Sequence, residues 1–413
     1  MNILVWLIAC AAIAGVILRP FRWPEAVWAC AGAALLIALG LIPPRAAFAA
    51  VAQGADVYLF LTGMMLLSEI ARRDGVFDWL ASHAVHAAGG SRTRLFTLLY
   101  AVGVLVTVFL SNDATAVVLT PAVYAAVRRA RVDALTYLFI CAFIANAASF
   151  VLPISNPANL VVYGKALPPL WTWLRTFFLP SLCAIAATYV ALRFVVRHEL
   201  RGASQPPGDA CCLSQEGRRA AYGIAASAAA LMTASALDWN LGFPTCIAAL
   251  FTLLAASRLR LEPIRQITAG VAWSVLPLVA GLFVLVAALD RAGALVHATR
   301  ALSQLSAMPR AEGAIAASFG IAALSNLMNN LPSGLLAGGA LHAFSAPESI
   351  RNSILIGVDL GPNLSVTGSL ATILWLIALR REGVEITAAR FLKVGAIVMP
   401  PALLLAALSV TVL

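Results

Sequence analysis

The residues whose types could do chemistry lie in four short polar clusters within apolar sequence. The clusters run from Ser111 to Asp113, from Ser155 to Asn159, from Ser325 to Asn330 and from Asp359 to Thr367. Each cluster contains or adjoins asparagine, glycine or proline residues, which interrupt helices. In hydrocarbon, a non-helical backbone is tolerated only where it is buried in protein or lines an aqueous cavity. We therefore expect the four clusters to converge on one substrate site.

Amide and hydroxyl side chains dominate these clusters, and they donate and accept hydrogen bonds without adding fixed charge. No concentration of arginine or lysine accompanies them, which argues against a multiply charged anion as substrate. The pattern favours a neutral, polyhydroxylated solute. Each asparagine could instead only satisfy a helix terminus, and Asn156, Asn329 and Asn330 carry less weight as substrate contacts than Asn112, Asn159, Asn326 and Asn363. The residues predicted to contact substrate are Ser111, Asn112, Ser155, Asn159, Ser325, Asn326, Asn329, Asn363 and Thr367.

Two carboxylates, Asp113 and Asp359, lie at these breaks. An ionisable group inside a membrane protein is a functional candidate, because burying it there is costly. Either residue could carry a proton or coordinate a cation. The alternative is that each only caps a half-helix. Leu327 occupies the position in the third cluster that Asp113 occupies in the first, so the two clusters are not chemically equivalent.

The composition identifies the surroundings that must position these residues. Of 413 residues, 62% are hydrophobic and 11% are charged, whereas soluble domains are roughly 45–50% apolar and about 25% charged. Apolar runs of about 15 to 22 residues recur along the chain, as expected of membrane-spanning helices. The net charge of +10 resides mainly in short loops and is explained by membrane topology, so nucleic-acid binding is not expected.

The apolar runs predict an all-α, polytopic membrane protein with ten crossings. The predicted spans are 3–18, 26–42, 55–71, 135–164, 174–196, 220–236, 241–257, 270–289, 353–379 and 392–412. The spans 135–164 and 353–379 carry polar clusters, which predicts broken helices. Two further regions, 95–127 and 311–342, are too long for one crossing of a roughly 30 Å core and too short for two. We interpret them as re-entrant hairpins.

Charge and internal similarity divide the chain into two inverted repeats, 1–197 and 220–413, joined by a cytoplasmic linker at 198–219. One topology places 21 of the 28 basic residues in the cytoplasm, with both termini outside. Five crossings in each half then invert the second half relative to the first. The tripeptide Leu-Ser-Asn recurs at 110–112 and 324–326, and Asn-Leu-x-Val-x-Gly recurs at 159–164 and 363–368.

Three segments carry a family resemblance. They are LFICAFIANAASFVLPISNPANLV at 138–161, ALSNLMNNLPSG at 323–334 and IGVDLGPNLSVTGSLATILWL at 356–376. These segments resemble the ArsB-type arsenite/antimonite efflux transporters of the ion transporter superfamily. The resemblance extends over both halves, and the last segment is its most specific part.

The resemblance implies a secondary transporter, not an enzyme, in the plasma (inner) membrane. It implies export of arsenite and antimonite as neutral hydroxides, driven by proton entry, with arsenical resistance as the result and without a cofactor. A separate cytoplasmic ATPase subunit assists some members. This chain has no nucleotide-binding glycine-rich loop, so ATP dependence would require such a partner. Asn146-Ala147 stands where an acid–threonine pair occurs in some relatives, which leaves the proton route open.

Other functions remain open from the sequence. A sodium/proton antiporter would use Asp113 with neighbouring oxygen atoms as a cation site. A dicarboxylate carrier would require cationic or hydroxyl-rich clamps, which the clusters do not provide. An enzyme is disfavoured, because His198-Glu199 lacks the second histidine of a metalloprotease motif. The adjacent thiols of Cys211 and Cys212 could contact a metalloid, or their pairing could be incidental.

Overall fold

The computed structural model describes residues 2–203 and 212–412. Within these ranges the chain forms helices and no β-strand, with one isolated bridge between Ser91 and Ala203. The all-α prediction is confirmed. The helices of the first half are α1 (Asn2–Leu18), α2 (Glu25–Ala38), α3 (Pro44–Gln53), α4 (Ala55–Arg73), α5 (Val76–Ala87), α6 (Arg92–Phe109), α7 (Thr120–Arg129), α8 (Ala134–Ala147), α9 (Pro157–Tyr163) and α10 (Leu170–Val195).

The second half repeats this order helix for helix. Its members are α11 (Gln215–Ala236), α12 (Gly242–Ser257), α13 (Leu261–Gly270), α14 (Val275–Arg291), α15 (Ala294–Ser306), α16 (Arg310–Met328), α17 (Asn330–Ala343), α18 (Glu348–Leu360), α19 (Leu370–Arg381) and α20 (Ala388–Val412). Corresponding helices have similar lengths: α3 and α13 have 10 residues each, and α10 and α20 have 26 and 25. The halves therefore share one architecture.

Contacts between the halves are reciprocal. Helix α4 of the first half packs along α12 of the second, and α14 of the second packs along α2 of the first. Helix α10 packs along its counterpart α20. Such exchange of equivalent contacts is what a twofold relation between two similar units produces.

Four helices are each long and apolar enough to cross a membrane, namely α6, α10, α16 and α20, among the residues that the structure describes. Two bent pairs, α3 with α4 at 48° and α13 with α14 at 40°, raise this number to six if each pair is one span. Large apolar side chains such as Trp171, Phe178 and Phe251 are exposed, as expected of a lipid-facing surface. The predicted spans all coincide with helices or broken helices, whereas the count of ten crossings stays a prediction.

The apolar runs do not predict four short helices, α3, α5, α13 and α15, as membrane-spanning elements. Each has 10 to 13 residues, with apolar residues on one side only. A pattern of that length and polarity does not meet the criterion for a crossing. The structure places α3 and α13 immediately before α4 and α14, and α5 and α15 against the two hairpins.

The regions predicted as re-entrant hairpins correspond to the helix pairs α6–α7 and α16–α17, which are held at opposite ends of α20. At the base of the first, the Tyr124 hydroxyl donates to the carbonyl of Glu382, which precedes α20, at 3.2 Å. At the base of the second, the Arg310 guanidinium donates to the carbonyl of Val410 near the end of α20, at 3.4 Å. Because α20 has 25 residues, these attachments are separated by about 37 Å of helix. The hairpins thus enter the molecule from opposite sides.

Glycine permits the closest contacts between the halves. A Cβ atom on Gly63 of α4 would lie 2.6 Å from the backbone oxygen of Thr245 in α12. A Cβ atom on Gly281, the counterpart in α14, would lie 2.8 Å from the backbone carbon of Ala29 in α2. Small residues allow membrane helices to approach at such positions.

We expect Gly63→Ala to destabilise the protein by about 1–3 kcal/mol, because the added methyl group forces two backbones apart. Thermal unfolding of the detergent-solubilised protein would measure the effect. Gly320→Ala is the matched control, since no atom lies within 4 Å of a Cβ built there. Equal stability of the two variants would contradict close packing between α4 and α12.

Candidate functional site

A narrow cleft, with room for about one water molecule, lies where the interrupted segments meet. Its walls come from both hairpins, from the breaks between α8 and α9 and between α18 and α19, and from α4 and α14. The lining residues are Leu61, Asn112, Asp113, Asn156, Pro157, Val275, Asn330, Leu331, Ser369, Leu370 and Ala371. Three of the four polar clusters line this cleft directly, and the fourth ends just before Ser369.

Asp113 is the carboxylate of the cleft. It lies at the tip of the first hairpin, where the Asn112 side-chain oxygen accepts from the Asp113 backbone N–H at 2.9 Å and Ser111 Oγ accepts from the N–H of Ala114 at 3.2 Å. These bonds cap the π-helical turn Ala114–Leu119. Across residues 2–203 and 212–412, no group donates to the Asp113 carboxylate, and the three ion pairs lie elsewhere. Its oxygen atoms are therefore available to a ligand.

Two amides share the cleft with Asp113 and also have hydrogen-bonding capacity to spare. In the part of the chain that the structure describes, the Asn112 side-chain nitrogen has no acceptor and the Asn330 side-chain amide has no partner, while both residues are only 3% exposed. No arginine, lysine or histidine lines the cleft. The arrangement offers one anionic acceptor and neutral donors and acceptors.

The break between α8 and α9 is stabilised mainly by its own side chains. Asn159 donates to the Ser149 carbonyl at 2.9 Å and Ser155 donates to the Val108 carbonyl at 3.0 Å, both as fully buried residues. Asn156 accepts from the N–H of Ala158 at 3.0 Å and thereby caps α9. Asn159 and Ser155 lie outside the cleft lining, whereas Asn156 is part of it.

The second hairpin is bonded to the break between α18 and α19. Asn326 donates to the carbonyls of Ala322 and Gly361 at 2.8 and 2.9 Å. The Asn326 side-chain oxygen accepts from Ser365 at 2.6 Å, and its carbonyl accepts from Thr367 at 2.8 Å. These bonds satisfy the interrupted backbone of both segments.

Residues beside this connection have similar structural contacts. Asn329 adopts a φ of 76° and donates to the Thr367 carbonyl at 3.3 Å. The hydroxyls of Ser325 and Ser333 lie 2.8 Å apart. The hairpin tip is thus fixed against the break on one side and leaves the Asn330 amide facing the cleft.

Asp359 is fully buried behind the cleft, at the centre of a network that joins the halves. Asp359 Oδ2 lies 2.8 Å from Ser149 Oγ, and Oδ1 accepts from Asn156 Nδ2 at 2.9 Å. Nearby, Asn146 donates to the side-chain oxygen of Asn363 at 3.0 Å, and Asn363 donates to the Phe143 carbonyl at 2.9 Å. Through Asn156, this network reaches the cleft wall.

Of the residues predicted to contact substrate, only Asn112 lines the cleft. The others bond to backbone or to one another and support the breaks: Ser111, Ser155, Asn159, Ser325, Asn326, Asn329, Asn363 and Thr367. Their roles in binding stay predictions. The cleft lining also contains Asn156 and Asn330, which are less favoured as substrate contacts in the sequence, and Ser369, which no sequence pattern considered above identifies. Ser369 accepts from Thr372 as a helix cap, a Ser-x-x-Thr pattern that could have drawn attention to it.

The thiol pair falls outside this site. Cys212 is exposed at the start of the second described range, and Cys211 lies outside the described residues. Among the described residues no group of three histidine, cysteine or acidic side chains could hold a metal ion.

Comparisons with known proteins place this geometry among transporters. The model of the CitMHS family, described as citrate transporter, matches residues 11–357. An arsenical pump membrane protein of Escherichia coli is 27% identical over 365 residues, and one of Yersinia enterocolitica is 28% identical over 359; both alignments cover 82% of each chain. An uncharacterized transporter of Mycobacterium tuberculosis is 25% identical, over 91% of this chain and 90% of the relative.

The fold is also similar to a solved structure. The crystal structure of the Alcanivorax borkumensis YdaH transporter, described as having an unusual topology, superposes with a TM-score of 0.57 and 14% identity, covering 89% of this chain and 86% of the other. At that identity the similarity concerns the fold alone. The site therefore belongs to a multi-pass membrane transporter fold.

Proposed function

Because this chain belongs to the citrate transporter (CitMHS) family of membrane transport proteins, we propose that it exports trivalent arsenic and antimony hydroxides in exchange for protons. Its similarity to arsenical pump membrane proteins over 82% of the chain supports the metalloid as substrate. The observation that carries the proposal is the composition of the cleft: one unpartnered carboxylate, amide side chains and no basic residue.

The same cleft argues against citrate or a dicarboxylate as the main substrate. Carboxylate substrates are normally bound by arginine or lysine through charge-assisted hydrogen bonds. A citrate ion in this cleft would instead approach the Asp113 carboxylate, and like charges repel more strongly where little water screens them. A neutral trihydroxide meets no such repulsion, because its O–H groups donate to Asp113 and its oxygens accept from Asn112.

Competition at Asp113 provides the coupling. The ionised carboxylate accepts hydrogen bonds from a substrate hydroxyl, whereas the protonated carboxyl group loses much of that capacity. Proton and substrate therefore favour different states of one site, and each displaces the other. The cleft opens alternately to the two sides of the membrane. Each cycle then exchanges an entering proton for a departing molecule of the neutral arsenic or antimony trihydroxide. Asn330 and Asn156, which both line the cleft, orient the bound solute.

A sodium/proton antiporter is the second candidate, and the unpartnered Asp113 carboxylate beside amide oxygens favours it. Such a hard oxygen donor set suits a monovalent cation as well as a hydroxyl group. In a metalloid exporter proton movement requires arsenite or antimonite, whereas in a sodium/proton antiporter it requires sodium.

The test is transport into everted membrane vesicles containing this chain. We expect a pH gradient, acidic inside, to drive arsenite accumulation, measured as vesicle-bound arsenic, with no dependence on sodium. Citrate added in excess should not compete. Proton movement that needs sodium but not arsenite would establish the cation antiporter, and citrate uptake without arsenite uptake would overturn the proposal.

The orientation in the membrane is part of the proposal. The base of the first hairpin, at Arg92, donates to the carbonyl of Ala203 at 3.1 Å, and Tyr124 reaches Glu382. The linker, this hairpin base and the loop after α19 therefore share one face, which is rich in basic residues. The positive-inside rule assigns it to the cytoplasm, with residues 1–197 and 220–413 as inverted repeats and both termini outside.

We expect alkaline phosphatase fused after Leu413 to be active in living cells, because this enzyme folds only outside the cytoplasm. A fusion at Gly217, within the linker, should be inactive, and green fluorescent protein at the two positions should give the opposite result. Phosphatase activity at Gly217 and none after Leu413 would reverse the proposed orientation.

A further inference from the structure

We propose that Asp359 is a carboxylic acid that stays protonated throughout transport and positions Asn156 in the cleft wall, rather than exchanging a proton with the solution. This inference goes beyond the proposed function, since it assigns a positioning role to Asp359, Ser149 and Asn156. Only its transport measurement rests on the proposed function.

The Ser149 hydroxyl lies between two oxygen atoms. Ser149 Oγ lies 2.8 Å from the Asn146 carbonyl oxygen and 2.8 Å from Asp359 Oδ2. A serine hydroxyl has one hydrogen, so it makes a full, short hydrogen bond to only one of two acceptors at 2.8 Å. Two oxygen atoms at that distance repel if no hydrogen lies between them. Both contacts are satisfied when Ser149 donates to Asn146 and Asp359 donates to Ser149, which requires the protonated acid.

Within residues 2–203 and 212–412, the surroundings of the Asp359 carboxyl group are uncharged. Helix α18 packs against α8, α9, α10, α15, α16, α17 and α20. From none of these elements, over the residues that the structure describes, does a charged or titratable side chain face Asp359; its polar neighbours are the uncharged Ser149 and Asn156. An ionised carboxylate enclosed without a cation is strongly disfavoured, and the neutral acid avoids that cost.

The neutral acid fixes the orientation of the Asn156 amide. Asn156 accepts from the N–H of Ala158 through Oδ1 and donates to Asp359 through Nδ2. Both ends of the amide are therefore fixed, and its orientation in the cleft is set by a group that does not touch the cleft. A carbonyl oxygen at Asp359 Oδ1 serves this purpose without a negative charge that would compete with Asp113.

Asparagine at position 359 tests this arrangement, because its amide reproduces both contacts of the protonated acid. In Asp359→Asn, the amide nitrogen donates to Ser149 and the amide oxygen accepts from Asn156. Asp359→Leu has a similar size, leaves the Asn156 side-chain nitrogen without an acceptor and removes the donor to Ser149 Oγ. Ser353→Ala is the matched control: Ser353 is a fully buried serine of the same helix, and its hydroxyl has no partner in the described ranges.

The decisive measurement is infrared spectroscopy of the purified protein in lipid, titrated with acid and base. We expect a carbonyl stretch of a protonated carboxyl group that persists across the physiological pH range in the wild type and Ser353→Ala, and disappears in Asp359→Asn. If the band assigned to Asp359 is absent, or converts to carboxylate as the pH rises through that range, the inference is overturned. This result does not depend on the identity of the substrate.

Transport provides the second readout. We expect Asp359→Asn to keep the pH profile of arsenite transport, with a rate within about threefold of the wild type, and Asp359→Leu to lose at least about tenfold through its unsatisfied partners. Loss of pH-gradient coupling in a folded Asp359→Asn protein would make Asp359 a proton carrier and overturn the inference. If the wild type itself moves no arsenite, the proposed function fails, and the infrared result alone decides the role of Asp359.

Discussion

We expect Asp113→Asn to abolish the response of arsenite transport to a pH gradient, lowering the initial rate of gradient-driven accumulation at least about a hundredfold. The reason is that the cleft then contains no group that binds a proton: Asp113 is its one carboxylate among the lining residues. The substitution preserves the size of the side chain and removes the choice between proton and substrate. Coupling requires that differential binding, since a ligand that does not distinguish two states cannot shift them.

The measurement separates coupling from binding. Gradient-driven accumulation would be measured as uptake of external arsenite into proteoliposomes under a pH gradient. Exchange of internal against external arsenite would be measured without a gradient, in proteoliposomes loaded with arsenite. We expect the Asp113→Asn protein to lose the first activity at every pH and to retain some of the second. Asp133→Asn is a control, because Asp133 caps α8 at the hairpin base by accepting from Thr136. Full gradient-driven accumulation by Asp113→Asn would remove Asp113 from the coupling mechanism.

Asn156→Ala is expected to reduce transport by at least about tenfold and to lower stability. It uncaps α9, leaves Asp359 without its donor to Oδ1 and removes an amide from the cleft. An uncapped helix costs roughly 0.5–2 kcal/mol, and an unsatisfied buried acceptor costs about 1–3 kcal/mol. Both penalties fall on the wall that faces the substrate.

Initial rates of arsenite transport and thermal unfolding of the same preparations would test this. Asn352→Ala is the matched control, since Asn352 is an amide on α18 that accepts from the Tyr163 hydroxyl at 2.9 Å outside the cleft. If Asn156→Ala transported like Asn352→Ala, the proposed connection between Asp359 and the cleft would be wrong.

The convergence of the polar clusters was predictable because the constraint is physical. Non-helical backbone, such as that near Pro153 and Gly361, leaves polar groups that lipid cannot hydrogen-bond. Such segments must therefore be buried in protein, where they can lie beside one another. The bounds of the two re-entrant hairpins, 95–127 and 311–342, stay a prediction. The fold class, the broken helices and the family resemblance are confirmed by the structure and the comparisons.

Which polar residues of each cluster line the cleft, and which only stabilise the helix breaks, was not predictable. Asp113 and Asp359 look alike in sequence, since each lies beside a helix break, and only the tertiary structure separates the open carboxylate from the enclosed one. The sequence also cannot show that the Asn159 amide turns back to the carbonyl of Ser149, ten residues earlier, instead of facing the cleft. Side-chain direction at an irregular backbone depends on partners far away in the chain.

The exchange of partners between the halves has a consequence for biosynthesis. Helix α4, at Ala55–Arg73, completes its packing only against α12, at Gly242–Ser257. During synthesis α4 must therefore remain in the bilayer with its Gly63 groove filled by lipid or by the insertion machinery until α12 arrives. The two halves mature together, so a ribosome that stops at the linker leaves an intermediate for quality control to remove, not half a transporter.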